Sequence, residues 1–76
     1  MSGVVVYGKP GCSLCDKAKA ALVSAGIAFE EVDIRSDPGL MNEYGVLIPV
    51  VEVGGTIVFE AGMDPRELPE LVLGEG

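Results

Sequence analysis

The amino-acid sequence predicts an α/β fold with elements in the order β-α-β-α-β-β-α, a four-stranded mixed sheet flanked by three helices. Three observations carry that prediction. The aliphatic run Val4-Val5-Val6-Tyr7 passes through glycine and proline into a segment whose apolar residues recur at helical spacing. A second β-rich run follows that helix, and a strand-helix-strand succession within one sheet implies a right-handed crossover with parallel pairing. Farther on, Val50 to Val53 and Thr56 to Phe59 flank Gly54-Gly55, which is the signal of an antiparallel hairpin.

Taken in order, Val4 to Tyr7 is apolar throughout, as a central strand covered on both faces should be. Gly8, Pro10 and Gly11 break it and let the backbone turn tightly. From Ser13 the pattern is helical: Leu14, Ala18, Ala21, Leu22 and Ala25 share one face, with Lys17 and Lys19 off it, and Gly26 supplies a left-handed stop. Ile27 to Ile34 reads as the second strand, although its alternation is imperfect. Ser36-Asp37-Pro38 is a helix start, with Asp37 as the cap and Pro38 in the first turn. Gly45 limits that helix to about two turns. Asp64-Pro65-Arg66-Glu67 has the form of a capping box leading into Leu68, Leu71 and Val72. Pro69 makes the last helix either very short or one that restarts at the proline.

Seventy-six residues suffice for one domain with one core, and a chain of this size buries only about 60% of the surface it exposes when unfolded. The apolar fraction of 49% is that of a globular protein. Two cysteines are too few for a small secreted disulfide scaffold. No basic and apolar leader opens the sequence and no apolar run approaches a membrane span, so a cytoplasmic location away from membranes is expected. The net charge of −7 is uneven. Up to Arg35, Lys9, Lys17, Lys19 and Arg35 balance Asp16, Glu30, Glu31 and Asp33; beyond it, eight acids face the single base Arg66. Without a basic face to release phosphate counterions, nucleic acid is excluded as a partner.

Both cysteines lie in Gly8-Lys9-Pro10-Gly11-Cys12-Ser13-Leu14-Cys15, at the junction of strand and helix. A Cys-x-x-Cys pair in that position points to thiol–disulfide exchange. Exchange needs a thiolate, and a free thiol is only a few per cent ionised at neutral pH. A helix N-terminus aims unpaired N–H groups and the positive end of the macrodipole at a sulfur placed there, as Cys12 is. Lys9 adds a cation on the same side, while Lys17 and Lys19 serve either that local field or only the solubility of the helix. Cys15, three residues on, falls on nearly the same helical face one turn deeper, within reach of a mixed disulfide on Cys12. Asp16 in the first turn opposes the thiolate mildly. A structural disulfide fits less well, because so short a loop contributes only about 2 kcal/mol. A zinc site wants four ligands, and this chain has two cysteines and no histidine.

Ile48-Pro49 is the second feature. X–Pro bonds in folded proteins are mostly trans, so the plain reading is a trans proline opening a strand. A proline opening the third strand of this order nevertheless lies beside the turn carrying Cys12. A cis bond there would turn the N–H and C=O of Ile48 toward a bound peptide or glutathione, which would pair as though adding a short strand.

At these residues the sequence resembles the glutaredoxins, most closely the short bacterial-type redoxins of the thioredoxin superfamily, from Val4 to about Leu73. Tyr7-Gly8-Lys9-Pro10-Gly11-Cys12-Ser13-Leu14-Cys15 is similar to the family's lysine–x–x–cysteine–x–x–cysteine turn. Leu47-Ile48-Pro49 is similar to its threonine–valine–cis-proline, and Gly62-Met63-Asp64 to a glycine–x–aspartate stretch that meets glutathione's γ-glutamyl end. Ser13 and Leu14 stand where the family usually has proline and tyrosine, Leu47 replaces the threonine, and Ala61 takes the place of a glycine. The absence of tryptophan sets the chain apart from thioredoxins proper.

The resemblance implies one glutaredoxin-like domain over residues 1–76 with the thioredoxin fold, acting as a monomeric thiol–disulfide oxidoreductase. Cys12 would attack and Cys15 resolve, with Lys9, Ile48, Pro49, Gly62 and Asp64 as substrate-binding residues. It further implies no metal and no tightly bound cofactor, with glutathione as a candidate co-substrate. The implied partners are a disulfide-bearing protein or glutathione, with a reductase or glutathione as electron source. Two alternatives are a redoxin recharged by a thioredoxin-type reductase, and a carrier whose Cys12 holds an iron–sulfur cluster or metal across a dimer.

Overall fold

The computed structural model describes residues 3–75. Strand β1 (Val4–Gly8) leads through the cysteine-bearing turn into helix α1 (Ser13–Ser24) and then strand β2 (Glu30–Asp33). A 3-10 turn, Ile34–Ser36, precedes helix α2 (Pro38–Tyr44), and strands β3 (Val50–Val53) and β4 (Thr56–Phe59) form the hairpin. A second 3-10 turn, Pro65–Glu67, opens into helix α3 (Leu68–Glu75). The sheet order is β2-β1-β3-β4, with β2 parallel to β1 and both other pairings antiparallel. The predicted α/β architecture is the observed one: a mixed four-stranded sheet with three helices.

Directly opposed residues in an antiparallel pair share a face, and this sorts the core into two clusters. Val4 and Val6 of β1 face the same way as their β3 partners Val53 and Val51, and pack with Ala18, Leu22, Phe59, Leu68 and Val72 beneath α1 and α3. Tyr7 and its partner Val50 point to the other face, where Val50 packs with Cys15, Ile34, Tyr44 and Ile48 on the side of α2. The two cysteines therefore sit where α1 meets the α2 cluster.

The termini of α1 show why the sequence stops and starts there. Gly26, at φ +72°, sends its N–H to the Val23 carbonyl, and Ile27 sends its N–H to Leu22, each at 3.0 Å. This is a complete Schellman closure. It also takes Ile27 out of the second strand, which is shorter than the expected 27–34: β2 begins at Glu30, and Ile34 enters the 3-10 turn capped by Asp33. Gly8 belongs to β1 rather than breaking it.

Asp37 caps α2 as expected, its carboxylate accepting the Gly39 N–H at 2.8 Å with Pro38 in the first turn. The Gly54-Gly55 hairpin turn has both φ angles positive, 58° and 88°, where glycine alone is unstrained. The expected capping box is only half formed. Asp64 accepts the Arg66 N–H at 2.9 Å, but among the described residues the Asp64 N–H does not donate to the Glu67 carboxylate, and a 3-10 turn precedes α3. Pro69 falls in the first turn of α3, where its missing N–H has no intrahelical partner to lose. Among the described residues no helix is long and apolar enough to cross a membrane.

Candidate functional site: the Cys12–Cys15 turn

Gly11, at φ +79°, bends the chain after Pro10 so that Cys12 becomes the N-cap of α1. With φ −96° and ψ 107°, Cys12 is extended while its carbonyl already accepts the Asp16 N–H at 3.1 Å. Its Sγ takes the place a serine or aspartate oxygen usually holds at a cap. The Cys15 N–H donates to that Sγ at 3.2 Å. The leading sulfur thus has an orphan amide of the helix aimed at it, as the sequence predicts. Both cysteines are free thiols, Cys12 half-buried and Cys15 buried.

Cys15 is 2% exposed and lies against Gly8 of β1, whose missing side chain leaves the space that the sulfur fills. Burial pushes the Cys15 thiol up to about 11, and hydrogen bonding to the Cys12 sulfur acts in the same direction. A main-chain hydrogen bond from Lys9 and the charge of Lys19 pull weakly the other way. The two sulfurs are therefore close, and the inner one is held as a thiol.

The remaining predicted site residues divide. Ile48 and Pro49 lie beside the turn: Ile48 packs in one cluster with Cys15, and Cys12 and Leu47 pack against that cluster. The Ile48–Pro49 bond is cis. The expectation that both main-chain groups of Ile48 face a substrate needs correcting, because its N–H donates to the Tyr44 carbonyl at 3.1 Å. Ala61 donates to the Leu47 carbonyl at 2.9 Å, so the loop bearing Gly62 is tied to the loop before Pro49. Gly62 is exposed, with φ +98°.

Asp64 is already engaged. Arg66 forks onto its carboxylate through Nε and Nη2, at 3.1 and 2.7 Å, and this guanidinium holds the Asp64 carboxyl below its usual range. Asp64 also lines a groove with Lys17, Ala20, Ala21, Ser24, Pro65 and Arg66, over the flank of α1. Lys9 and Lys17 are exposed and, among the described residues, make no ion pair. Lys19 instead bridges Asp16 at 3.6 Å and Glu31 at 3.2 Å, linking α1 to β2.

Sequence reasoning missed a cluster behind the site. The Tyr7 and Tyr44 rings meet at 5.1 Å between centroids with their planes tilted by 49°, and both donate to the Glu52 carboxylate. The available signal was a lone acid inside the otherwise aliphatic run Val50 to Val53.

Comparisons with known proteins agree with this geometry. Residues 3–72 match the model of a family described as a glutaredoxin-like domain (DUF836). The gene 56 protein of Mycobacterium phage L5 is 32% identical over 76 residues, covering 91% of this chain and 71% of that protein. The N-acetyl-S-hydroxy-L-cysteine reductase of Bacillus subtilis is 38% identical over 56 residues, covering 67% of this chain and 60% of its own length. Among solved structures, XcR50 of X. campestris superposes with a TM-score of 0.75 at 30% identity, covering 95% of this chain and 93% of the other. Sequence and fold agree, and the chain belongs to the glutaredoxin-like domain family of the thioredoxin superfamily.

Proposed function

We propose that the protein is a thiol–disulfide oxidoreductase that reduces protein or glutathione mixed disulfides through Cys12 and Cys15. The supporting observation is the half-buried Cys12 sulfur accepting the Cys15 amide at 3.2 Å, with the Cys15 thiol buried beside it. An N–H donor stabilises negative charge on the sulfur that must attack. The Cys12 thiolate attacks one sulfur of the substrate disulfide, forming a mixed disulfide and releasing the first substrate thiolate. Cys15 then loses its proton and attacks the Cys12 sulfur. That step releases the second substrate thiolate and leaves a Cys12–Cys15 disulfide, so two electrons have passed to the substrate. With its thiol pushed up to about 11, Cys15 is held protonated in the reduced protein, and the resolving step has to remove that proton.

Two equivalents of glutathione, or one reductase dithiol, return the pair to the reduced state. The name of the Bacillus relative supports a second substrate for the same dithiol, a cysteine sulfenic acid. Attack of Cys12 on the S–OH sulfur, with one proton, expels water and gives the same mixed disulfide.

The test is trapping. Cys15→Ser should accumulate one substrate adduct on Cys12, readable by intact mass and reversible by reductant, whereas Cys12→Ser should form none and turn nothing over. Turnover of a glutathione mixed disulfide, compared between glutathione and a thioredoxin-type reductase as reductant, identifies the electron source. Equal adduct formation by Cys12→Ser would remove Cys12 from the attacking role.

A further inference from the structure

The Tyr7–Glu52–Tyr44 cluster makes no contact that the sulfur chemistry uses, yet Tyr44 shares a packed cluster with Cys15 and Tyr7 lies against it. Tyr7 Oη donates to Glu52 Oε1 at 3.0 Å, and Tyr44 Oη to Oε2 at 3.2 Å. Glu52 is half-buried within β3, with Val5 and Ile57 as its neighbours across the sheet, and is the one polar side chain of that strand. Tyr44 is the last residue of α2. Its carbonyl accepts the N–H of Leu47 at 2.9 Å and of Ile48 at 3.1 Å. One residue is therefore pinned to the sheet by its side chain and holds the loop before Pro49 by its backbone. Leu47 passes the constraint on, accepting the Ala61 N–H at 2.9 Å; Ile48 lies in the cluster that contains Cys15, and Leu47 and Cys12 both pack against that cluster.

We propose that Glu52 is a positioning residue for disulfide exchange: through Tyr44 it fixes the loop at 46–49 against Cys12, so that an incoming disulfide docks in line with that sulfur. The proposal rests on the exchange reading given above. A helix of seven residues has little stability of its own, so what fixes the end of α2 must come from tertiary contacts. At 3.0 and 3.2 Å the two hydroxyl–carboxylate bonds are longer than strong charge-assisted ones, so each contributes as an ordinary hydrogen bond. A misplacement of about 1 Å at a reacting centre costs on the order of a hundredfold.

The experiment uses Glu52→Ala, Glu52→Gln, Tyr44→Phe and Tyr7→Phe at a temperature where all are folded. Amide hydrogen exchange at Leu47 and Ile48, followed by NMR, reads the tether without any turnover. Tyr44→Phe should accelerate exchange roughly tenfold, the factor for losing one such bond, and Glu52→Ala, which loses both, at least as much. The amides of β1 and α1 should be unchanged, and Tyr7→Phe should have the smaller effect. Turnover of a peptide mixed disulfide should fall by a similar factor in kcat/KM, while alkylation of Cys12 by iodoacetamide, which needs no docking, keeps its rate. Glu52→Gln retains one acceptor oxygen and should recover part of the loss.

Exchange rising equally across β1 and α1 would show a merely structural role and overturn the proposal. So would unchanged exchange and turnover in Tyr44→Phe, or Cys12 alkylation falling in parallel with turnover. A wild-type protein that turns over no disulfide would sink the exchange reading itself, an outcome distinct from an active wild type with indifferent variants.

Discussion

Replacing Gly8 by alanine tests how tightly the inner sulfur is seated. A Cβ at Gly8 would lie 3.0 Å from Cys15 Sγ and 3.3 Å from its Cβ. Non-bonded heavy atoms rest about 3.5–4.0 Å apart, so the sulfur would have to give. It has little room, because Cys15 is 2% exposed and packed among Ile34, Tyr44, Ile48 and Val50. Overpacking of this kind costs about 1–3 kcal/mol. Alanine in a strand returns roughly 0.5–1 kcal/mol of that through lower chain entropy. A net loss of up to about 2.5 kcal/mol is expected in the wild-type background. Cys15→Ala removes the nearer atom, so Gly8→Ala should then cost no more than a few tenths of a kcal/mol. Urea unfolding of the four proteins under reductant, compared at constant m, gives the coupling energy. Equal costs in both backgrounds would refute the claim that Gly8 is small because Cys15 Sγ fills its space.

Three further outcomes follow from the same geometry. The Cys15 thiol is raised from 9.0 to about 11 in the folded protein, so the stability it contributes is fully present below about 9 and is lost as pH rises through that window. The loss should be roughly 1–3 kcal/mol, read as the wild-type minus Cys15→Ala difference from urea unfolding at alkaline pH, and should be missing from Cys15→Ala itself. Arg66 lowers Asp64, so Arg66→Ala should move the Asp64 carboxyl midpoint upward toward 3.8, read by carbon-13 NMR. Because Asp64 is depressed when folded, its contribution is present above its unfolded midpoint and fades as pH falls through the folded one. If glutathione's ammonium needs Asp64, Arg66→Ala should also lower KM for a glutathione mixed disulfide; an unchanged KM would remove Asp64 from that contact.

What the sequence revealed is local. The Cys12 cap, the Gly26 stop, the Asp37 cap and the Gly54-Gly55 turn depend on residues a few positions apart, and each is where its pattern places it. The errors lie where local signals compete. Ile27 has the β propensity of a strand residue but closes α1 instead, and the chain winds as a 3-10 turn at Pro65–Glu67 where the box would have opened the helix. The engagement of Asp64 follows from an aspartate–x–arginine spacing that recurs at Asp33-Ile34-Arg35, where the same fork forms. Glu52 was illegible for another reason: its bond to Tyr7 spans 45 positions, and only the pairing of β1 with β3 brings them together. The bond from Ile48 to Tyr44 likewise appears only once α2 ends against the loop before Pro49.

The central claim is that the two sulfurs are unlike, the outer one reactive and the inner one held as a thiol. Pulse alkylation of the reduced protein from neutral pH to about 11, quantified for each cysteine by peptide mass spectrometry, tests it directly. Cys12 should be labelled first at every pH, with Cys15 lagging until the upper end of that range. Labelling of Cys15 ahead of Cys12 near neutrality would contradict the assignment of both roles.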